Sequence, residues 1–176
     1  FEELKYKNFY LSNIESSTEN DLNFFNNLHD LKLENESYDY CVAHACIHHS
    51  SKPHNAILEL YRVSSKGVLI IEANDSIISR LACKLGFSEE YEISAIKKNI
   101  TYGGVDNSNI PNYVYRWTER EIIKLIKSFE PKIKHKIKFD YGYHIKFTQI
   151  LIIKFLFKIF FFYFSKTKKF NVYFYK

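Results

Sequence analysis

Apolar and polar positions along this chain fall into blocks whose period changes, and the changes mark its elements. Phe9-Tyr10-Leu11 is a short apolar run closed by the polar stretch Ser12 to Asp21, the pattern of a strand running into a loop. Leu22-Asn23-Phe24-Phe25 predicts a second short strand. Tyr38 to Ile47 is nearly continuous in apolar character, which suits a central strand covered on both faces. Ser50-Ser51-Lys52-Pro53 carries turn and helix-start residues, and Ala56, Ile57, Leu60, Tyr61 and Val63 then recur at helical spacing. Lys66-Gly67 predicts the stop of that helix, and Val68-Leu69-Ile70-Ile71 a further buried strand. Strand, helix and strand on short connections form a βαβ unit, so the two strands are expected to pair in parallel.

Downstream, Thr118-Glu119-Arg120-Glu121 has the S/T-x-x-E capping-box pattern and opens a helix through Phe129. Ile122, Ile123, Leu125 and Ile126 supply its buried stripe, and Pro131 ends it. Lys132 to Tyr143 alternates Lys with Ile or Phe, as in a half-exposed strand, and Phe170 to Tyr175 predicts a last one. The apolar stretch 147–164 has about the length of a membrane span, but Lys154 and Lys158 lie inside it. Each would cost roughly 2.5–3.5 kcal/mol near a bilayer centre. Four residues apart, they share one helical face, so an amphipathic helix over 147–165 is expected, packed on the domain or resting on a membrane surface.

Composition narrows the class. At 176 residues with 46% hydrophobic and 26% charged positions, a single globular domain is expected and wholesale disorder is excluded. The 18% aromatic content follows a general excess of Lys, Asn, Ile, Phe and Tyr, so it carries little functional meaning. The net charge of +5 is concentrated after Lys132, while residues 15–40 are acidic. A basic end is usually a solvated face; contact with an anionic membrane surface through 147–169 is the alternative, and no nucleic-acid partner is expected. Cys41, Cys46 and Cys83 form no CxxC pair, which points to thiols packed as small hydrophobes in a reducing, cytoplasmic setting. The sequence contains no HExxH, no Walker loop and no G-x-S-x-G elbow. It starts at Phe1 and contains no Met, so a segment before Phe1 is expected.

The informative stretch runs from Leu28 to Asp75. It reads L-H-D-L-K-L-E-N-E-S-Y-D-Y-C-V-A-H-A-C-I-H-H, then P-H-N-A-I-L-E-L-Y-R-V, then K-G-V-L-I-I-E-A-N-D. In order and spacing this resembles the pattern D-x-x-D-L-P-F-x-D-x-S-F-D-x-V, an L-x-H turn, and E-x-x-R-V-L-K-P-G-G before a hydrophobic strand. That pattern is the one of class I S-adenosylmethionine-dependent methyltransferases of the type 11-like domain. The resemblance implies an α/β, Rossmann-like sandwich with a mostly parallel sheet, an antiparallel last strand and the first βα unit missing. It also implies S-adenosyl-L-methionine as methyl donor and a small-molecule or glycan-type acceptor. A non-catalytic methyltransferase-like binding module, or a degenerate fragment, is the rival reading.

By the same resemblance, the turn after the central strand borders donor and acceptor. His49 matches the recurring His there, with His48 beside it; each is a candidate general base, or polar punctuation after a strand. Asp30-Leu31 matches the loop that frames the adenine. Asn27 stands where the family places an acidic adenine contact, and Leu28 follows it. Glu15 is the candidate for the acid that holds the ribose hydroxyls, with Asn13 closer in position. Asp39 matches the Asp of S-F-D, with a structural role expected at the start of the central strand. The departure is the family's E/D-x-G-x-G-x-G loop, which has no counterpart here; the one Gly pair, Gly103-Gly104, falls far downstream. Acceptor recognition would fall to Glu72, Asn74 and Asp75 and to an insert over 76–117. With Tyr91, Tyr102, Tyr113, Tyr115 and Arg116, that insert could form a lid or simply pack on the sheet.

Overall fold

The computed structural model describes residues 9–13, 23–25, 27–96, 103–142 and 169–175. Two sheets are present among them. Strands β1 (Leu11–Asn13) and β2 (Asn23–Phe25) pair in parallel. A four-stranded sheet has the order β3-β4-β6-β5, built from β3 (Tyr38–His44), β4 (Ser64–Glu72), β5 (Lys136–Gly142) and β6 (Lys169–Tyr175). β3 and β4 pair in parallel, and β6 runs antiparallel to both β4 and β5. Three of the four strands therefore share one direction and the last opposes them, as the sequence pattern predicts. The expected amphipathic helix at 147–165 lies outside the described residues.

Helix α1 (Pro53–Val63) makes the crossover between the parallel pair, with Pro53 at its first position where the missing N–H does no harm. It presents Ala56, Ile57, Leu60, Tyr61 and Val63 to the core, where they meet Ala43, Val68 and Ile70 from the sheet. The helix stops earlier than Lys66-Gly67 suggests. Ser64 Oγ, fully buried, donates to the Tyr61 carbonyl, and β4 begins at Ser64 itself, paired to Tyr38, with Gly67 already paired to Tyr40.

The E-x-x-R spacing has a physical meaning here. Glu59 and Arg62 form a two-bond pair on one face of α1, at 2.8 and 2.7 Å. Glu59 Oε2 also accepts from Leu31 N, while the Arg62 guanidinium donates to the carbonyls of Leu31 and Leu33 and to Asn35 Oδ1. One ion pair thus fastens the loop 31–35, which has no sheet partner of its own, to the crossover helix.

After β4 come α2 (Ile77–Lys84) and the short α3 (Ile93–Ile96). Helix α4 (Glu119–Phe129) then buries Ile122 and Ile126 against α1 and the fully buried Trp117. Thr118 caps α4 by accepting from Glu121 N at 3.1 Å. The capping box is only half made, because the Glu121 carboxylate turns to Tyr115 OH (2.5 Å) and His54 Nε2 (3.0 Å) instead. No helix among the described residues is long and apolar enough to cross a membrane.

Candidate functional site

The run Tyr38 to Ile47 is not one strand. β3 ends at His44, Ala45 takes a left-handed conformation (φ 49°), and Ile47–His49 forms a single 3₁₀ turn. Glu72, at the end of β4 and 3% exposed, is the cause: its Oε1 accepts from the backbone N–H of both Cys46 (2.9 Å) and Ile47 (2.8 Å). A carboxylate there replaces the ladder bonds that a longer strand would use. Tyr40 and Val42 are exposed, so β3 is not covered on both faces as its composition suggested.

The same carboxylate fixes the first histidine. Glu72 Oε2 accepts from His48 Nδ1 at 3.0 Å, with both side chains buried. Beyond it, Glu92, just before α3, places Oε1 3.4 Å from His48 Nε2 and Oε2 3.4 Å from His49 Nε2. The two imidazoles stack at 4.6 Å between ring centroids. Asn112, fully buried, sets its Nδ2 2.8 Å from His49 Nδ1, 3.1 Å from Glu92 Oε2 and 3.2 Å from the Gly103 carbonyl.

Electrostatics separate the pair. Burial alone would pull His48 down, but the Glu72 carboxylate, with Glu92 behind it, outweighs that and holds the imidazole above its usual range. His49 is pushed below its usual range, first by burial and then by the neighbouring His48 charge, with Glu92 opposing both. His49 is therefore the more readily deprotonated of the two, and its Nδ1 accepts from the Asn112 amide.

The adenine-loop candidates lie in one turn. Asp30 N donates to the Asn27 carbonyl at 3.0 Å and His29 N to Asn27 Oδ1 at 3.3 Å, with the half-buried Leu28 between them packed on the core. Asp30 is exposed and bonded to Lys32 at 2.6 Å, which lowers its carboxyl below the usual range. His29 joins this turn to the histidine turn: its Nδ1 lies 2.7 Å from Ser50 Oγ. It also lies 3.5 Å from Asp106 Oδ1, which accepts from Ser51 N. Glu15 lies outside the described residues. Asp39 braces the start of β3 across the sheet to Lys66 and Ser65 of β4, rather than through local bonds.

Glu92, Asn112, His29 and Asp106 carry no signature in the sequence, since each reaches the site from a different loop. Gly103-Gly104 finds its use here too. Gly104 N donates to the Ser108 carbonyl, and a Cβ at Gly104 would lie 1.9 Å from the Ile110 carbonyl oxygen, so only glycine lets this loop close beneath Asn112. In the insert, Arg116 is spent on the carbonyls of Glu89 and Val114 and on Ser88 Oγ. Tyr115 stacks on Trp117 at 4.6 Å and bonds Glu121, a packing role. Tyr91 and Tyr113 pair edge to face at 5.3 Å and stay exposed, and Tyr102 lies outside the described residues.

Residues 12–71 match the sequence pattern of the methyltransferase domain family. The fold is that of the class I methyltransferases. A chain of the Haloferax volcanii complex between the Trm112 methyltransferase activator and a methyltransferase candidate is 9% identical, with a TM-score of 0.55 over 91% of this chain and 64% of its own. A SAM-dependent methyltransferase of Methanosarcina mazei is 14% identical, with a TM-score of 0.52 over 94% of this chain and 80% of its own. The present chain thus spans less than two thirds of the length of the Haloferax chain. No curated protein matches the sequence.

Proposed function

We propose that this domain transfers a methyl group from S-adenosylmethionine to a small-molecule or glycan-type acceptor. The observation that carries the reading is the match of residues 12–71 to the methyltransferase domain family, on a chain whose two histidines, adenine-loop turn and insert converge on one rim. The residues present fit the adenine end of the cofactor: the Asn27 amide supplies a hydrogen-bonding edge and Leu28 an apolar one. Asp30, turned toward Lys32, frames the turn electrostatically. When bound, the sulfonium supplies an activated methyl and its own leaving group.

The chain's part is alignment and proton removal. His49, kept neutral, is the residue suited to take a proton from the acceptor. His48, buried against Glu72 and biased toward its charged form, is a positioning residue that holds the turn. Acceptor recognition falls to Tyr91 and Tyr113 in the insert, since Arg116 and Tyr115 are engaged internally. The three cysteines are free thiols, which fits a cytoplasmic setting.

Isothermal titration of the full chain with S-adenosylhomocysteine tests this. Saturable binding is expected, weakened roughly 3- to 10-fold by Asn27→Ala, the worth of about one hydrogen bond. No heat of binding with either S-adenosylmethionine or S-adenosylhomocysteine would sink the enzyme reading. The chain would then be a methyltransferase-like binding module, an alternative motivated by a sequence without the E/D-x-G-x-G-x-G cradle.

A further inference from the structure

We propose that His48, His49 and Glu92 form a binding site for a divalent transition-metal ion of the zinc class. One ligand atom from each lies within 4.8 Å of the other two. The two measured His-to-Glu92 separations are both 3.4 Å, His48 Nε2 to Oε1 and His49 Nε2 to Oε2. That is beyond the roughly 2.7–3.2 Å of an N–H···O hydrogen bond. Each is close to the edge of a tetrahedron around an ion with bonds of about 2.0–2.1 Å, whose ligand atoms sit about 3.3–3.4 Å apart. Because they run to the two different Glu92 oxygens, the carboxylate would bind through both or turn slightly to bind through one.

Hydrogen bonding points the same way. Glu72 accepts from His48 Nδ1–H, so the proton displaced by an ion is the one on Nε2, and its loss leaves a lone pair facing the site. A buried carboxylate behind a histidine whose other nitrogen points into the site is the arrangement that orients metal-ligating imidazoles. Three buried side-chain polar atoms lack a hydrogen-bond partner among the described residues, and two belong to this cluster: His48 Nε2 and Asn112 Oδ1. An ion satisfies the first directly. Asn112 Nδ2 donates to His49 Nδ1, so ligation through Nε2 takes the other tautomer and gives up that one bond. Charge is consistent as well: an ion displaces the imidazole proton, and the Glu72 and Glu92 carboxylates then offset the dication. Two imidazoles and one carboxylate form a ligand set of the kind that leaves an open position on zinc.

The site uses the lone pair that the methyl-transfer reading assigns to His49 as base, so ion binding and that role are alternative states of one residue. Binding itself does not depend on the methyl-transfer reading. The full chain, stripped with a chelator and dialysed, is titrated with zinc against a chromophoric competitor and, separately, with cobalt(II). One equivalent of zinc is expected to bind, and cobalt(II) to show the intense visible bands of a four-coordinate ion. His49→Gln and Glu92→Gln, at half-exposed positions that spare the core, are each expected to weaken zinc by at least 10-fold. Glu72→Gln is expected to weaken it roughly 10- to 100-fold through the orientation of His48 and its turn. Absence of stoichiometric binding, binding unchanged in both half-exposed variants, or a cobalt spectrum no different from the aqueous ion would overturn the proposal. Loss of S-adenosylhomocysteine binding with zinc binding intact would instead remove the enzyme reading and leave the metal site standing.

Discussion

Replacing Glu72 by glutamine tests the centre of the site most directly. The native carboxylate accepts three bonds: two backbone N–H groups at 2.9 and 2.8 Å and His48 Nδ1 at 3.0 Å. Bonds to a charged acceptor are worth about 1.5–3 kcal/mol each and neutral ones about 0.5–1.5. Gln keeps one oxygen for Cys46 and Ile47 but sets an amide N–H₂ against His48, which must change tautomer. Weakening all three from charged to neutral bonds, by about 1 kcal/mol each, comes to about 3 kcal/mol. Glu72→Ala strands all three partners and is expected to reach about 3–5 kcal/mol. In urea unfolding of the metal-free chain, with a slope of about 2 kcal/mol per molar, the Gln variant's midpoint falls by about 1.5 M. The deficit also depends on pH. The folded state raises His48 above its ordinary value of about 6.5, so the stabilisation from its charge is full below that value. It is lost as pH rises through the raised one. The gap between wild type and Glu72→Gln is therefore largest below about pH 6.5 and narrows in alkali to the part owed to the two backbone bonds. A deficit under about 0.5 kcal/mol, the range of an ordinary surface substitution, would refute the role given to Glu72. So would a deficit flat from acid to alkali.

Two further outcomes follow from the same structure. In metal-free buffer, nuclear magnetic resonance titration is expected to find His48 above and His49 below the ordinary histidine value. His49 then subtracts stability as pH falls through about 6.5, because the unfolded chain protonates first, and two coincident titrations near that value would contradict the assignment. Thr118→Ala is expected to cost about 1 kcal/mol in thermal or urea unfolding through the lost N-cap, while Glu121→Ala leaves that cap bond in place because it runs to the backbone.

Hydrophobic period alone placed β4, α1 and α4 and the parallel crossover between β3 and β4, because each buries a regular stripe: Ile57, Leu60 and Val63; Val68 and Ile70; Ile122 and Ile126. Local chemistry did the rest where it acts within one turn, as with Pro53 opening α1 and Thr118 capping α4. The 28–75 block also carried the resemblance, overlapping the matched residues 12–71, and its Asp30-Leu31 and Glu59-x-x-Arg62 motifs proved to be two halves of one clasp. The end of β3 was not legible. Ala45-Cys46-Ile47 reads as strand, and only Glu72, 25 residues from Ile47 in sequence, ends it by taking its N–H groups.

The site divides the same way. That His48 and His49 would stand just beyond the end of β3 was written in the order of the residues, although β3 lies at the edge of the described four-stranded sheet and not at its centre. Their different characters were not, since these depend on which carboxylate reaches which nitrogen. Glu72 comes from the neighbouring strand, Glu92 from the edge of a short helix, and Asn112 from a loop closed by Gly104. Sequence fixes what each side chain can donate or accept. Folding decides, at distances of about 3 Å, which of those capacities are matched and which are left facing one another.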